Sequence, residues 1–342
     1  MKTLHSIFLC LLVSVSCGAL SQAQNKAGTT AAQFLSIGVG ARQVAMAGAT
    51  SAVVNDASAM YWNPSGLVGV SSFSLLATHT DWFADLRHQY FGIVLPIGDA
   101  HRIGISTTIL AMGDMEITTE TQPQGTGTFF SANDVAVGIT YAAQLVNFFS
   151  FGATVKYVNQ TIYNESASAV AVDMGTTLTT GWNGITIGMA FTNFGSTMQL
   201  SGRDLQRTYD PNPNNATNVG VSSNLATEAW EMPINFRVGV GWTLVGREGA
   251  MLANDTHALQ LAVDGNHRND APENAAVGLE YSFADVLALR AGYHVNDDVR
   301  RWSYGAGLAW NVPGSFSVVF DYAMMDLVRL GGVHVFSLSI GL

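Results

Sequence analysis

The sequence predicts an all-β protein, a 14-stranded antiparallel transmembrane β-barrel with an N-terminal helical and loop plug in its lumen. Three observations carry that prediction: an export signal, a shortage of charge, and a two-residue hydrophobic period that runs to the last residue. The signal comes first. Lys2 precedes an apolar run from Ile7 to Val15, and Ser21-Gln22-Ala23 supplies a small-x-small cleavage site, so residues 1–23 read as a secretory signal peptide. That run is shorter than the ~20 residues a membrane-spanning helix needs, and no later stretch supplies them. Both cysteines, Cys10 and Cys17, lie within the signal, which leaves the mature chain without a disulfide framework. Charge is scarce: 12% of residues are Asp, Glu, Lys or Arg and 48% are hydrophobic, whereas a soluble domain carries roughly 25% charged residues. A barrel needs no charge on its lipid face. Without Lys2, 14 basic residues stand against 25 acidic ones, a net charge of −11. Nucleic acid is therefore no partner, because phosphate contacts need a basic face.

Residues 24–70 form the expected plug segment. Within it, Ala41 to Leu67 (ARQVAMAGATSAVVNDASAMYWNPSGL) is too rich in Ala and Gly for a strand and too interrupted for one long helix. Small residues such as Gly48 permit close backbone packing in a confined space. Asp56 is placed to cap a short helix from Ala57 to Tyr61, and Asn63-Pro64-Ser65-Gly66 ends it with turn chemistry. Arg42 and Asp56 are the plug's own charges.

Residues 71–342 form the expected barrel, because apolar and polar residues alternate from Ser72 onward. Trp302, Tyr304, Ala306, Leu308 and Trp310 share one face, against Ser303, Gly305, Gly307, Ala309 and Asn311 on the other. Ile234 to Leu244 and Phe149 to Tyr157 alternate in the same way. Fourteen strands are expected near 72–80, 87–97, 101–120, 133–143, 148–161, 168–180, 184–194, 233–245, 256–267, 273–283, 287–296, 301–311, 315–323 and 333–342. Their connections alternate between brief turns, such as Gly98-Asp99-Ala100, Gly181-Trp182-Asn183 and Val312-Pro313-Gly314, and the longer segments 121–132 and 195–232. Short periplasmic turns and long outer loops are the outer-membrane pattern, and Arg247 to Asp255 is the one turn longer than that pattern expects. A soluble sheet would carry Lys and Glu on its polar faces, whereas these carry Gly, Ser, Thr and Ala, residues that suit a crowded lumen. Counted from a periplasmic N-terminus, seven strands precede loop 195–232, which places that loop outside the cell.

No catalytic arrangement, cofactor motif or metal set is legible. The histidines are scattered without zinc spacing, and the loop opening at Asp210 has Val221 where a calcium loop needs a bidentate Glu. The inward faces instead carry Lys156, Asp173, Arg237, Asp264, Glu280, Arg290 and Asp321. Such groups must pair or line water, and Arg237, Glu280 and Arg290, on nearby strands, are expected to hold the plug through salt bridges.

Six segments carry a resemblance: AAQFLSIGVGARQVAMAGATSAV, NDASAMYWNPSGL, HTDWFADLRHQYFGI, MGDMEITTETQPQGTG, FGATVKYVNQTIYNESAS and RLGGVHVFSLSIGL. Together they resemble the PorV/PorQ family, part of the wider FadL-like group of fourteen-stranded outer-membrane barrels. Asn63-Pro64 is similar to the Asn-Pro-Ala element of the FadL plug, with Ser65 in place of Ala. The resemblance implies a non-enzymatic barrel in the outer membrane of a Gram-negative bacterium, acting in type IX secretion. Its implied partners are outer-membrane lipid, translocon or attachment-complex proteins, and secreted proteins with C-terminal signal domains. The closing strand, His334 to Leu342, resembles the signal read by the barrel assembly machinery during biogenesis. FadL itself implies the alternative of a channel for uptake or export of hydrophobic small molecules. A conduit needs a continuous apolar cavity beside the plug, while a shuttle for secreted proteins can be filled.

Overall fold

The computed structural model describes residues 28–211, 220–247, 249–312 and 314–342. The signal peptide and the prolyl turn residue Pro313 lie outside them. Fourteen strands form the wall: β1 Ser74–Asp81, β2 Arg87–Ile97, β3 His101–Ala111, β4 Ala132–Val146, β5 Phe149–Ile162, β6 Glu165–Thr179, β7 Ile185–Gly195, β8 Asn235–Gly246, β9 His257–Arg268, β10 Asn274–Phe283, β11 Leu287–Val295, β12 Arg300–Val312, β13 Phe316–Leu327 and β14 Gly331–Gly341. Each pairs antiparallel with its sequence neighbours, and β14 returns to β1 with Ser74 opposite Gly341 and Asp81 opposite His334. The sheet is thereby closed, and closure removes the unpaired edges that hydrocarbon would not tolerate.

The two-residue period decides which way each side chain points. On β12, Trp302, Tyr304, Leu308 and Trp310 are exposed, and Ser303 and Gly307 are buried. Residues such as Ile139, Val155, Leu308 and Phe320 on the outer face of a closed sheet form an apolar band suited to lipid. No helix among the described residues is long and apolar enough to cross a membrane.

Three boundaries differ from the sequence expectation. The third strand ends at Ala111 rather than near residue 120, because Gly113-Asp114 turns the chain into a small hairpin, Met115–Glu116 against Phe129–Phe130. The short helix, α1 in the list that follows below the plug's first turn, begins two residues later than expected. The long segment after β8 is also not a plain turn: Leu252–Ala253 folds back parallel to Val245-Gly246, which accounts for its length.

Residues 31–70 fill the interior with short turns of helix: a 3-10 turn at Gln33–Ser36, α1 Ala41–Ala45, α2 Ala59–Trp62, and a second 3-10 turn at Pro64–Gly69. The shifted helix is thus α2, and Asp56 Oδ1 accepts from the Ser58 amide (2.8 Å) and hydroxyl (2.5 Å) just ahead of it. Asn63 caps the final turn by accepting from the Ser65 amide at 3.2 Å, with Pro64 at the first turn position, where no amide donor is missed.

The path of this segment corrects one expectation. Its described start is not at the short-turn end of the barrel: Thr30 pairs with Glu231 and its hydroxyl donates to Asp270 at 3.1 Å, both at the end that carries the long loops. The chain enters the lumen at that rim, descends, and leaves at the opposite end, where Arg102 bonds the Val70 carbonyl. β1 then climbs back toward the rim.

Candidate functional site: a plug bound to every strand

The plug touches the wall all the way round. Leu76 on β1, Val94 on β2 and Ala142 on β4 share a buried cluster with Val54, Met60 and Leu67, and Tyr90 on β2 donates to the Ala57 carbonyl at 3.0 Å. Ala41, Val44 and Ala45 cluster with Ala323, Met325 and Leu327 on β13 and Val333 and Val335 on β14. Elsewhere the wall presents glycine. A β-carbon at Gly104 (β3) would strike Met60, at Gly152 (β5) the Pro64-Ser65 backbone, at Gly175 (β6) the Asn63 amide, and at Gly188 (β7) the Ser51 carbonyl. Gly278, Gly292 and Gly305 on β10, β11 and β12 meet Met46, Ala47 and Ala45 in the same way. The glycine-rich inner face is thus the imprint of the plug's backbone, pressed closer than any side chain would allow.

Polar groups then fix the register. Asp264 on β9 accepts from the Thr50 and Ser51 amides at 3.1 and 2.9 Å. The Ala41 amide donates to Ser337 Oγ on β14 at 2.8 Å. Asn63 Nδ2 donates to the Ser51 carbonyl at 2.6 Å and to the Thr176 carbonyl at 3.1 Å, so one side chain ties two plug turns to β6. Gly48, at φ +72°, lies against Trp62, and an added β-carbon would sit 2.8 Å from the ring. The Trp62 Nε1 donates to the Val39 carbonyl at 2.8 Å.

The charges divide into three groups. In the first, Arg42 donates to both oxygens of Glu280, Nε at 2.8 Å and Nη2 at 3.0 Å, and its Nη1 lies 3.8 Å from Asp56. Arg290 bonds Glu280 from the other side and reaches Asp321 at 2.6 Å. The result is an alternating chain, Asp56–Arg42–Glu280–Arg290–Asp321, which joins plug to wall beside a cavity of about 310 Å³ at the short-turn end. Burial would lower the Arg42 pKa, but the Glu280 carboxylate outweighs it and raises the value, so Arg42 stays charged.

In the second group, Lys156 donates to Asp173 at 2.8 Å and bonds Asn193. Asp173 also accepts from the Asn193 amide at 2.6 Å, at a register shift between β6 and β7. This pair braces the wall and makes no printed bond to the plug.

Arg237 forms the third. It was expected beside Glu280 and Arg290, but it lies near the opposite rim, its guanidinium 4.9 Å from the Trp62 ring centre and 5.5 Å from that of Tyr61. One turn of α2 supplies an aromatic cushion and thereby draws Arg237 away from the carboxylates. Burial raises the Tyr61 phenol pKa, and Arg237, Arg268 and Arg300 oppose that rise. At the rim, burial would raise the Asp270 pKa, but bonds from Arg268, Gln33 and Thr30 hold it below the usual carboxylate range. The sequence reading missed Arg102, Arg268 and Arg300. Arg102 was findable, since it shares inward parity with Gly104, whereas Arg268 and Arg300 sit at strand ends where alternation no longer signals direction.

Comparisons with solved structures place the fold. The CymD monoaromatic hydrocarbon channel superposes with a TM-score of 0.57 at 14% identity, covering 89% of this chain and 97% of that one. The Pseudomonas putida toluene transporter TodX gives 0.54 at 13%, covering 89% and 97%. A Pseudomonas aeruginosa FadL homologue gives 0.51 at 13%, covering 88% and 97%. At these identities the likeness shows a shared architecture, the FadL-like barrel. A comparison with curated proteins finds no match. A family model described as type IX secretion system protein PorV matches residues 20–198, which include the plug and the first seven strands. The chain therefore belongs to the PorV family of outer-membrane barrels.

Proposed function

We propose that this barrel serves type IX secretion by binding secreted proteins or the translocon at its long-loop end and passing them to the surface attachment complex. The observation that supports this reading is the filled lumen: the plug is bonded or packed against all fourteen strands, and their glycines leave no annular space where its backbone touches them. A protein that works from its rim needs a rigid, closed body, and the plug supplies one. The rim is also where the chain invests its irregular structure, in the hairpin 115–130 and in the long segment 196–234, with exposed Phe129, Tyr209, Val221, Leu225 and Trp230. Exposed aromatics at a rim fit protein contact.

The second reading, a conduit for hydrophobic small molecules, is favoured by the FadL-like architecture. It requires the plug to move, because cavities of about 60 Å³ near the rim and 310 Å³ near the short turns lie on opposite sides of it. One experiment separates the two. Affinity purification from the native outer membrane should recover translocon or attachment-complex proteins and cargo with C-terminal signal domains, and removal of the hairpin 115–130 should reduce that recovery. Recovery of the barrel without secretion partners, together with uptake of a hydrophobic solute that depends on the protein, would overturn the secretion reading.

A further inference from the structure

Near the long-loop rim, three guanidiniums converge on one small cavity. Arg237, Arg268 and Arg300 line it together with Trp62, Trp82 and His294, and it offers about 60 Å³ for the centres of water-sized molecules. Two of the three charges are already neutralised. Arg268 holds Asp270 through two bonds at 2.8 and 2.9 Å, and Arg300 holds Asp297 through two at 2.9 and 2.8 Å. Arg237 is different: it is 7% exposed and has no carboxylate within 4 Å among the described residues. Its Nη1 donates to the Trp62 carbonyl at 3.3 Å, which occupies one of a guanidinium's five N–H donors. The nearest further acid that acts on it, Asp264, is committed to the Thr50 and Ser51 amides. A second buried group in the lining is also unsatisfied: His294, 6% exposed, has no hydrogen-bond partner for Nδ1.

We infer that this cavity is a binding site for a single carboxylate group, held by the Arg237 fork. A lone buried cation is costly unless a counter-charge reaches it, and the aromatic faces of Tyr61 and Trp62 compensate only part of that cost. The planar fork matches a carboxylate in two-point geometry. One uncompensated positive charge selects a monoanion over a phosphate dianion. The cavity volume admits the carboxylate and a few further atoms and excludes a long chain. Its lining by Asn193, Asn266 and Asn274 supplies polar partners rather than a purely apolar slot. The inference goes beyond the secretion reading and does not rest on it. Two sources share the chemistry: a free small carboxylic acid, and the C-terminal carboxylate of a polypeptide that reaches in from the rim.

The test uses the full-length barrel in detergent, with tryptophan fluorescence as the readout because Trp62 and Trp82 line the cavity. Propionate should give a saturable change that the isosteric neutral propionamide does not, and Arg237→Gln should weaken it at least tenfold. Arg237→Lys, which keeps charge but not the fork, should fall between them. The acid-against-amide comparison needs no variant, so it stands even where Arg237→Gln fails to fold by its heat-modifiable migration. Triglycine against triglycine amide separates the sources: a response to the peptide acid identifies a chain terminus, and a response to propionate alone identifies a free acid. An equal response to propionate and propionamide, an undiminished response in folded Arg237→Gln, or tighter binding of inorganic phosphate at pH 8 than of propionate overturns the inference.

Discussion

Replacing Glu280 with Ala removes the carboxylate on which two guanidiniums meet, and its cost follows from what each is left holding. One-sided removal of a buried ion-pair partner costs roughly 3 to 5 kcal/mol, because the surviving charge stays buried. Here Arg290 keeps Asp321 at 2.6 Å and Arg42 keeps Asp56 at 3.8 Å, so neither is wholly abandoned. The expected cost therefore sits at the lower end, roughly 3 kcal/mol. The double variant Arg42→Met, Glu280→Leu removes the charge with its partner and leaves Arg290 paired to Asp321. It should cost clearly less than the two single variants added together, with a coupling of roughly 1.5 to 3 kcal/mol for hydrogen bonds between charged groups. The assay is reversible urea unfolding in lipid vesicles, with tryptophan fluorescence and electrophoretic mobility followed together. A coupling within about 0.5 kcal/mol of zero would mean that Arg42 and Glu280 act independently, and the plug would not be pinned by this chain of charges.

Four further outcomes follow from the same geometry. Leu308→Arg, midway along β12 on the outer face, should destabilise the barrel by roughly 2 to 4 kcal/mol in lipid; unchanged stability would reverse the inward and outward faces. Gly48→Ala should cost about 1 to 2 kcal/mol for a left-handed backbone and disturb the Trp62 ring as well, so a near-ultraviolet circular dichroism spectrum identical to that of the parent protein would refute the contact. Deleting residues 41–67 should leave a heat-modifiable barrel that conducts better in planar bilayers; insertion without added conductance would show that something else closes the lumen. An epitope inserted near Asn215, which lies outside the described residues, should be labelled on intact cells, and labelling only after permeabilisation would invert the topology.

The wall was legible in the sequence because its rule is local. Alternation fixed the faces of β12 and β8 residue by residue, and strand 87–97 was expected with the bounds it has. The plug was legible as a segment that could not be a strand, and Arg42, Glu280 and Arg290 were each recognised as inward charges in need of partners. Their pairing was not, because register around a closed ring sets which inward residues meet at one height. Arg237 shows the limit: parity said that it faced inward, but only the height of α2 decided that it would meet Tyr61 and Trp62 rather than Glu280. The rim arginines had no signal at all, since Arg268 and Arg300 lie where strands end and pair with acids two or three residues away in tight turns.

The path of the plug has a consequence for how the protein is made. Ala41 is among the first residues of the lumen to be synthesised, yet the Ser337 hydroxyl it bonds is 296 residues further along the chain. Its amide therefore waits for almost the whole polypeptide before it finds an acceptor. Pairing of β1 with β14 both seals the cylinder and delivers Ser337, so ring closure and enclosure of the amino-terminal segment become one kinetic event. Such long-range contacts form slowly, and a chain that stalls short of its last strand leaves Ala41, Val44 and Ala45 bare. Those three residues then distinguish finished molecules from unfinished ones, as an exposed apolar mark that chaperones and proteases can read.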